Sequence, residues 1–438
     1  MNIIGLRRKF LVTFAINTIV FISANASGYD INVYTDFLQN GLKVYYIIDN
    51  STPVVTTLMY YKTGSFAETA DKNGLAHIME HMMFGETDSI PPGKITGFIE
   101  DAGGSYGAYT SYEETIFYTK LPSNHLRLAL WIESQRIGSL RITERELEKQ
   151  KRIIIEELKA RDLNQPYSEY YTLIPKIIYD AWPIIGNQDH IRSTTVKEIE
   201  KFYKSNYRID NAALVILGDF GLAEGRSLAR EYFGGLKNGI APEKRTFTLP
   251  NITENYKRII QDPKAADPAV FINFRGPGIK DSNYYFMNLL AVILANGTNS
   301  RLYRRLESAD ILNAEVTMSM EYLENMGLIT IKAILPKGTD LKKVEEIINS
   351  EINFIAEKGV TADELENAVN YLESKLLFEK LDKIKLSEKI ARYAMLFDNH
   401  ELINSEFEKY KSVALQQITS AVRQFLTTGR RAVLLFED

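Results

Sequence analysis

Between residues 29 and 66 apolar and polar positions alternate, and the apolar ones are rich in β-branched and aromatic side chains. This pattern predicts strands over 33–38, 42–48 and 54–61. An Asn40-Gly41 turn joins the first two and pairs them antiparallel. The period then changes. Residues 73–85 carry Leu, Ala, Ile and Met at helical spacing, between Asn73-Gly74 and Phe84-Gly85. A short helix is predicted over 93–101. Gly103-Gly104 then opens a strand through Thr110, and another runs from Thr115. A helix over 123–140 follows, then a long one that begins at Thr143 and carries a capping box with Glu146. Residues 168–182 are helical and aromatic. Thr195 begins another helix, and 211–219 is a buried strand. Gly239, Pro242 and Pro250 interrupt the periodicity over 236–256, which reads as a linker.

The second half repeats the first. Val360-Thr361-Ala-Asp-Glu364-Leu365 matches Ile142-Thr143-Glu-Arg-Glu146-Leu147 at an offset of 218. The C-terminal helix and strand echo those near Thr195 and Ala213. These matches predict two similar α+β domains, 27–235 and 257–438, each an antiparallel sheet flanked by helices. The same offset sets Lys375 opposite Glu157, Ala295 opposite His77 and Asn299 opposite His81.

Composition narrows the function. The chain has 438 residues, 45% hydrophobic and 25% charged, as expected of a globular protein with sizeable cores. It has no cysteine, so any metal must be held by nitrogen and oxygen. Residues 1–26 read as a signal peptide. Arg7-Arg8-Lys9 lead, a short apolar run follows, and Ala24-Asn25-Ala26 precedes the cleavage point. The apolar run is too short for a comfortable membrane span, so no stable span is expected after its removal. The double arginine fits a plain secretory signal better than a twin-arginine one. Removing the segment takes away three positive charges and no negative ones, which moves the formal charge from -4 to -7. A nucleic-acid partner, which needs a basic footprint, is not expected.

The chemistry concentrates in 73–85. Two of the five histidines, His77 and His81, lie four positions apart, on one helix face, with Glu80 beside them. The motif His-x-x-Glu-His is the inverted zincin pattern. A third ligand is needed, and the helix from Thr143 offers Glu156 and Glu157. The i−3 and i−4 neighbours of Glu157 are Ile154 and Ile153, which sets Glu157 nearer the buried stripe and makes it the candidate. Three protein ligands with one open position is the arrangement of a catalytic zinc site. Glu80 would then act as general base for a metal-bound water.

These residues resemble the pitrilysin and mitochondrial processing peptidase family of zinc metallopeptidases, in its short bacterial two-subunit form. The similarity runs through Gly64-Ser-Phe-Ala-Glu68 to Gly85-Glu-Thr87, Gly103-Gly104 with Ala108-Tyr-Thr-Ser111, Ile153–Glu157, and Ser300-Arg-Leu-Tyr-Arg-Arg-Leu306. The resemblance implies a LuxS/processing-peptidase-like metallohydrolase fold and one Zn2+ per chain on His77, His81 and Glu157, with Glu80 as base. It implies a substrate strand at Gly104, Ser105, Tyr106, Gly107, Ala108 and Tyr109.

Three features depart from the family pattern. Gln150 stands where a second glutamate is usual beside the metal ligands, so its hydrogen bond can remain without its charge. Gly107 replaces an asparagine. Glu307 and Ala314 stand where an Arg/Tyr pair grips the substrate, which implies a homologous partner subunit that supplies the pair. The function expected is an exported, periplasmic zinc endopeptidase subunit acting on peptides or unfolded segments. The alternative is a non-catalytic scaffold subunit of the same family. A small-molecule metallohydrolase fits the metal but not the large two-domain architecture.

Overall fold

The structure, a computed structural model, describes residues 30–239, 241, 255–427 and 431–437. The expected signal segment and most of the expected linker lie outside the described residues. The strands are β1 (Tyr34–Phe37), β2 (Lys43–Ile48), β3 (Val54–Tyr61), β4 (Ser105–Thr110), β5 (Thr115–Pro122), β6 (Ala212–Gly218), β7 (Tyr256–Gln261), β8 (Ala269–Pro277), β9 (Glu315–Tyr322), β10 (Met326–Ile334) and β11 (Arg431–Glu437). The first eight helices are α1 (Leu75–Met82), α2 (Lys94–Asp101), α3 (Leu126–Gly138), α4 (Glu144–Asn164), α5 (Tyr170–Tyr179), α6 (Gln188–Ser193), α7 (Val196–Asn206) and α8 (Leu222–Phe233). The second half adds α9 (Asn283–Leu294), α10 (Arg301–Ser308), α11 (Leu341–Lys358), α12 (Ala362–Leu381), α13 (Lys383–Phe397), α14 (Leu402–Lys411) and α15 (Leu415–Val422).

The strands form two sheets, in the orders β1-β2-β6-β3-β5-β4 and β7-β11-β8-β10-β9. Apart from β1 the two orders are identical, each strand of the first sheet matching the strand five numbers later in the second. The expected α+β class and its internal repeat are therefore present in the topology. Pairing is antiparallel except for one parallel pair in each sheet, β2 with β6 and β7 with β11. A parallel pair needs a long crossover. That crossover brings β6 back beside β2 in the first half and β11 back beside β7 in the second.

The repeat offset is not constant. Lys375 and Glu157 do occupy the same position along α12 and α4. Ala295, however, caps the end of α9, and Asn299 lies beyond it, before α10. The expected match of these two to His77 and His81 at the constant offset fails. The connection from β8 to α9 is shorter than that from β3 to α1, which shifts the register of the second helix.

The strands of the sheet centre read as nearly continuous apolar runs because both faces are covered. On one face of the first sheet α1, α3 and α4 bury Met79, Met82, Leu130, Leu147 and Ile154. The other face is covered by a helix from the second half. Leu386, Ile390, Ala391 and Ala394 of α13 pack on Leu58, Tyr60, Val215 and Leu217. The exchange is reciprocal, since Ile174, Ile178 and Tyr179 of α5 cover the outer face of the second sheet at Phe271, Leu434 and Phe436.

Candidate metal centre

Helix α1 begins at Gly74, whose positive φ of 93° suits a residue without a side chain. Gly74 offers no capping oxygen of its own. The cap comes from the buried Glu68, which accepts from the Gly74 backbone N–H (2.8 Å), the Ala76 N–H (2.7 Å) and the Trp182 indole (2.7 Å). A carboxylate at a helix N-terminus satisfies otherwise orphaned donors and complements the dipole. Burial pushes the Glu68 carboxyl up to about 7, against the pull of those donors. One face of α1 sinks Ile78, Met79 and Met82 into the core, so His77, Glu80 and His81 sit at the margin of the buried stripe.

Helix α4 crosses α1 and brings Glu157 to the histidines. Its carboxylate Oε2 lies 3.6 Å from Nε2 of His81 and 4.0 Å from Nε2 of His77. The two imidazoles stand edge to face, 4.8 Å between centroids. Among the described residues this is the one group of three such donors close enough to hold a metal ion. Zinc bonds of about 2.1 Å in a tetrahedron would hold donors roughly 3.4 Å apart. The observed spacings fit with small adjustments, and two imidazoles with one carboxylate suit zinc chemistry.

Glu157 is not on the buried side of α4. Its side chain is 44% exposed, Ile153 points outward and only Ile154 is buried. The apolar neighbours in sequence overstate its burial. Glu157 sits at the rim of the stripe, reaching inward from a solvent-facing position. Glu156, 70% exposed and paired with Lys159, faces fully away. Burial, reinforced by the neighbouring His81, pushes the His77 imidazole down to about 3, which keeps its nitrogen lone pair free at neutral pH. Burial raises the Glu80 carboxyl, and a 2.6 Å hydrogen bond from the Thr110 hydroxyl opposes that rise.

Thr110 ends β4, the edge strand of the first sheet, which has no neighbour on its open side among the described residues. The strand alternates as expected. Tyr106, Ala108 and Thr110 face the helix layer. Tyr109, with Ser105 and Gly107, faces the side covered by α13. Gly104 packs its backbone against Leu121, where a Cβ would lie 2.3 Å from a methyl carbon. At Gly107, a Cβ would lie 2.3 Å from the hydroxyl of Tyr118, its direct partner on β5. The Tyr118 ring fills the place of a side chain at 107.

Gln150 is buried, and its Oε1 lies 3.3 Å from Nδ1 of His81. The expected hydrogen bond is therefore present. The carboxylate missing at 150 stands one turn earlier, where Glu146 accepts from Gln150 Nε2 at 2.6 Å. The expected capping box at Thr143 is half formed. Thr143 caps the helix, but the Glu146 side chain turns to Gln150 instead. Nδ1 of His77, also buried, has no hydrogen-bond partner among the described residues.

Glu307 is exposed on α10 and Ala314 is buried before β9. Neither lines the large cleft of about 1170 Å3 between the halves. That cleft does not include the histidines. Its walls include β9, β10, α9, α12 and α5, with Arg161 one turn beyond Glu157 and Lys375 at the position matching Glu157. Sequence reading missed Glu68 and Thr110. Glu68 lay inside a quoted motif, yet nothing local marked it as a cap.

Residues 43–179 match the family described as Insulinase (Peptidase family M16), and residues 193–372 match the family's domain described as Peptidase M16 inactive domain. The protein named Zinc protease PqqE of Helicobacter pylori is 25% identical, over 97% of this chain and 92% of its own. The crystal structure of a protease from Helicobacter pylori superposes with a TM-score of 0.86 at 19% identity, covering 94% of this chain and all of that one. The periplasmic protease PqqL of Escherichia coli superposes with a TM-score of 0.76 at 19% identity over 92% of this chain, which spans 47% of that protein. The two domain matches cover most of the sequence between them, and the chain belongs to the M16, pitrilysin-type family of zinc metallopeptidases.

Proposed function

We propose that this chain is an exported zinc endopeptidase subunit that hydrolyses peptides or unfolded segments. The observation that carries the proposal is the convergence of His77 Nε2, His81 Nε2 and Glu157 Oε2 beside a carboxylate tied to an open sheet edge. His77, His81 and Glu157 would hold Zn2+, which would lower the pKa of a bound water towards about 7 and polarise a carbonyl. A peptide adds to β4 along Ser105–Tyr109 by edge pairing, starting at the close-packed Gly104. Glu80 takes the proton of the attacking water on its carboxylate and returns it to the leaving amine. The Thr110 hydroxyl holds that carboxylate at the end of the substrate strand.

The first half, 27–235, carries this chemistry, and the second, 257–438, encloses substrate. With Glu307 and Ala314 in place of an Arg/Tyr pair, a homologous subunit completes the grip. The half-length match to PqqL supports such pairing, and the fact that PqqL is a periplasmic protease supports export after loss of residues 1–26. No helix among the described residues is long and apolar enough to cross a membrane. The test is zinc content and cleavage of an unstructured peptide, with and without chelator, alone and with a homologue carrying the pair. Zinc bound by wild type and lost in His77→Ala, with chelator-sensitive cleavage, is expected. Zinc-free protein, or cleavage indifferent to chelator, would overturn the proposal. Bound zinc without cleavage in either setting would favour the scaffold reading, for which the match to an inactive domain over 193–372 is the supporting observation.

A further inference from the structure

We propose that Glu146 is a positioning residue for the metal centre, acting on His81 through the amide of Gln150. The inference rests on the zinc reading of the site and concerns a charge two side chains away from it. A carboxylate can only accept hydrogen bonds, so the group 2.6 Å from Glu146 Oε1 must be the amide nitrogen of Gln150. That choice fixes which end of the amide faces His81. Oε1 lies 3.3 Å from Nδ1, and an amide oxygen can only accept, so Nδ1 carries the proton. The lone pair of the neutral ring then sits on Nε2, the atom turned towards Glu157. One buried negative charge thus selects the tautomer of a ligand, a task that in many metal sites falls to a carboxylate in direct contact.

The second half provides an internal contrast. Thr361 and Glu364, which match Thr143 and Glu146, form a complete capping box, with the Glu364 side chain folded back on the Thr361 N–H. In α4 the matching carboxylate has left that duty. Thr143 is instead supported by Glu86, its hydroxyl donating to Oε1 at 3.1 Å. Glu146 is 4% exposed, and besides Gln150 it pairs with Lys149 at the rim. The metal-bearing copy has redirected the carboxylate towards the ligand, whereas the copy without a metal group keeps it as a cap. His77 has no comparable support among the described residues, so control of the donor set falls on His81.

The test measures the Zn2+ dissociation constant of the mature chain by chelator competition, with the histidine tautomers of the metal-free protein followed by 15N NMR. Glu146→Ala is expected to weaken zinc binding about 10- to 100-fold and to leave His81 a mixture of tautomers. The double variant Glu146→Ala/Gln150→Glu places a carboxylate directly on Nδ1 and is expected to regain most of that loss. If Glu146→Ala does not fold, Glu146→Met, which keeps the bulk and removes the acceptor that orients the Gln150 amide, gives the same reading. A dissociation constant within twofold of wild type, or no recovery in the double variant, would overturn the proposal and leave Glu146 a helix-end residue that moves only the melting temperature. Failure of wild type to bind zinc would refute the zinc reading instead, and the NMR tautomers would still decide the role of Glu146.

Discussion

In the proposed site, His77, Glu80 and His81 would take separate roles from neighbouring places on one turn of helix. The histidines converge because four residues make slightly more than one turn. Glu80 projects beside them and meets Thr110. Substituting Glu80→Gln keeps the shape and the Thr110 contact but removes the proposed base. Peptide hydrolysis should fall by at least about 100-fold while zinc stays bound, read by a cleavage assay alongside metal analysis. Retained turnover would disprove the role. Gly107 poses a packing question that the Tyr118 ring answers. Gly107→Ala should cost roughly 1–3 kcal/mol by pushing that ring aside. Most of the cost should vanish in a Tyr118→Ala background, as a double-mutant cycle in denaturant would show. The types and spacing of the histidines and Glu80 were legible in sequence. Thr110 was not, because its contact joins residues thirty positions apart.

Helix α1 depends on a cap supplied from outside itself. Glu68 binds its first N–H groups in place of the missing Gly74 side chain. A buried carboxyl raised to about 7 favours its protonated form in the folded state relative to an unfolded value near 4.5. The stability it contributes is full below pH 4.5 and is lost as pH rises through 7. Stability should therefore fall by roughly 1–3 kcal/mol between pH 4.5 and 8 from this group alone. Glu68→Gln should flatten that part of the profile, as measured by denaturant unfolding of metal-free protein. An unchanged profile would show that the three donors hold Glu68 ionised throughout. Helix α4 shows how far local signals reach. Its start at Thr143 and its long run were expected from the sequence. The exposure of Ile153, and Glu157 at the rim rather than in the stripe, depend on the angle at which α4 meets α1.

At the scale of the molecule, the two halves do not stand apart. Each lends a helix to the outer face of the other's sheet, α13 to the first and α5 to the second. Arg392 of α13 pairs with Glu114 and donates to the Tyr109 hydroxyl on the edge strand at 3.3 Å, tying the second half to the candidate substrate strand. Ile390 is fully buried against the first sheet. Ile390→Ala should cost about 2–5 kcal/mol, and residues 27–235 expressed alone should bind the dye ANS and melt without cooperativity. A stable, cooperative isolated half would contradict this view. The sequence by itself determined the candidate donor set, its helical spacing, the absence of thiolate ligands and the existence of a repeat. All of these follow from residue identity and the fixed periods of helix and strand. The tertiary structure alone decided which helix meets α1, how exposed Glu157 is, what caps α1, where the repeat slips, and that α5 and α13 change places. Those features rest on contacts between residues far apart in sequence, whose partners no local period specifies.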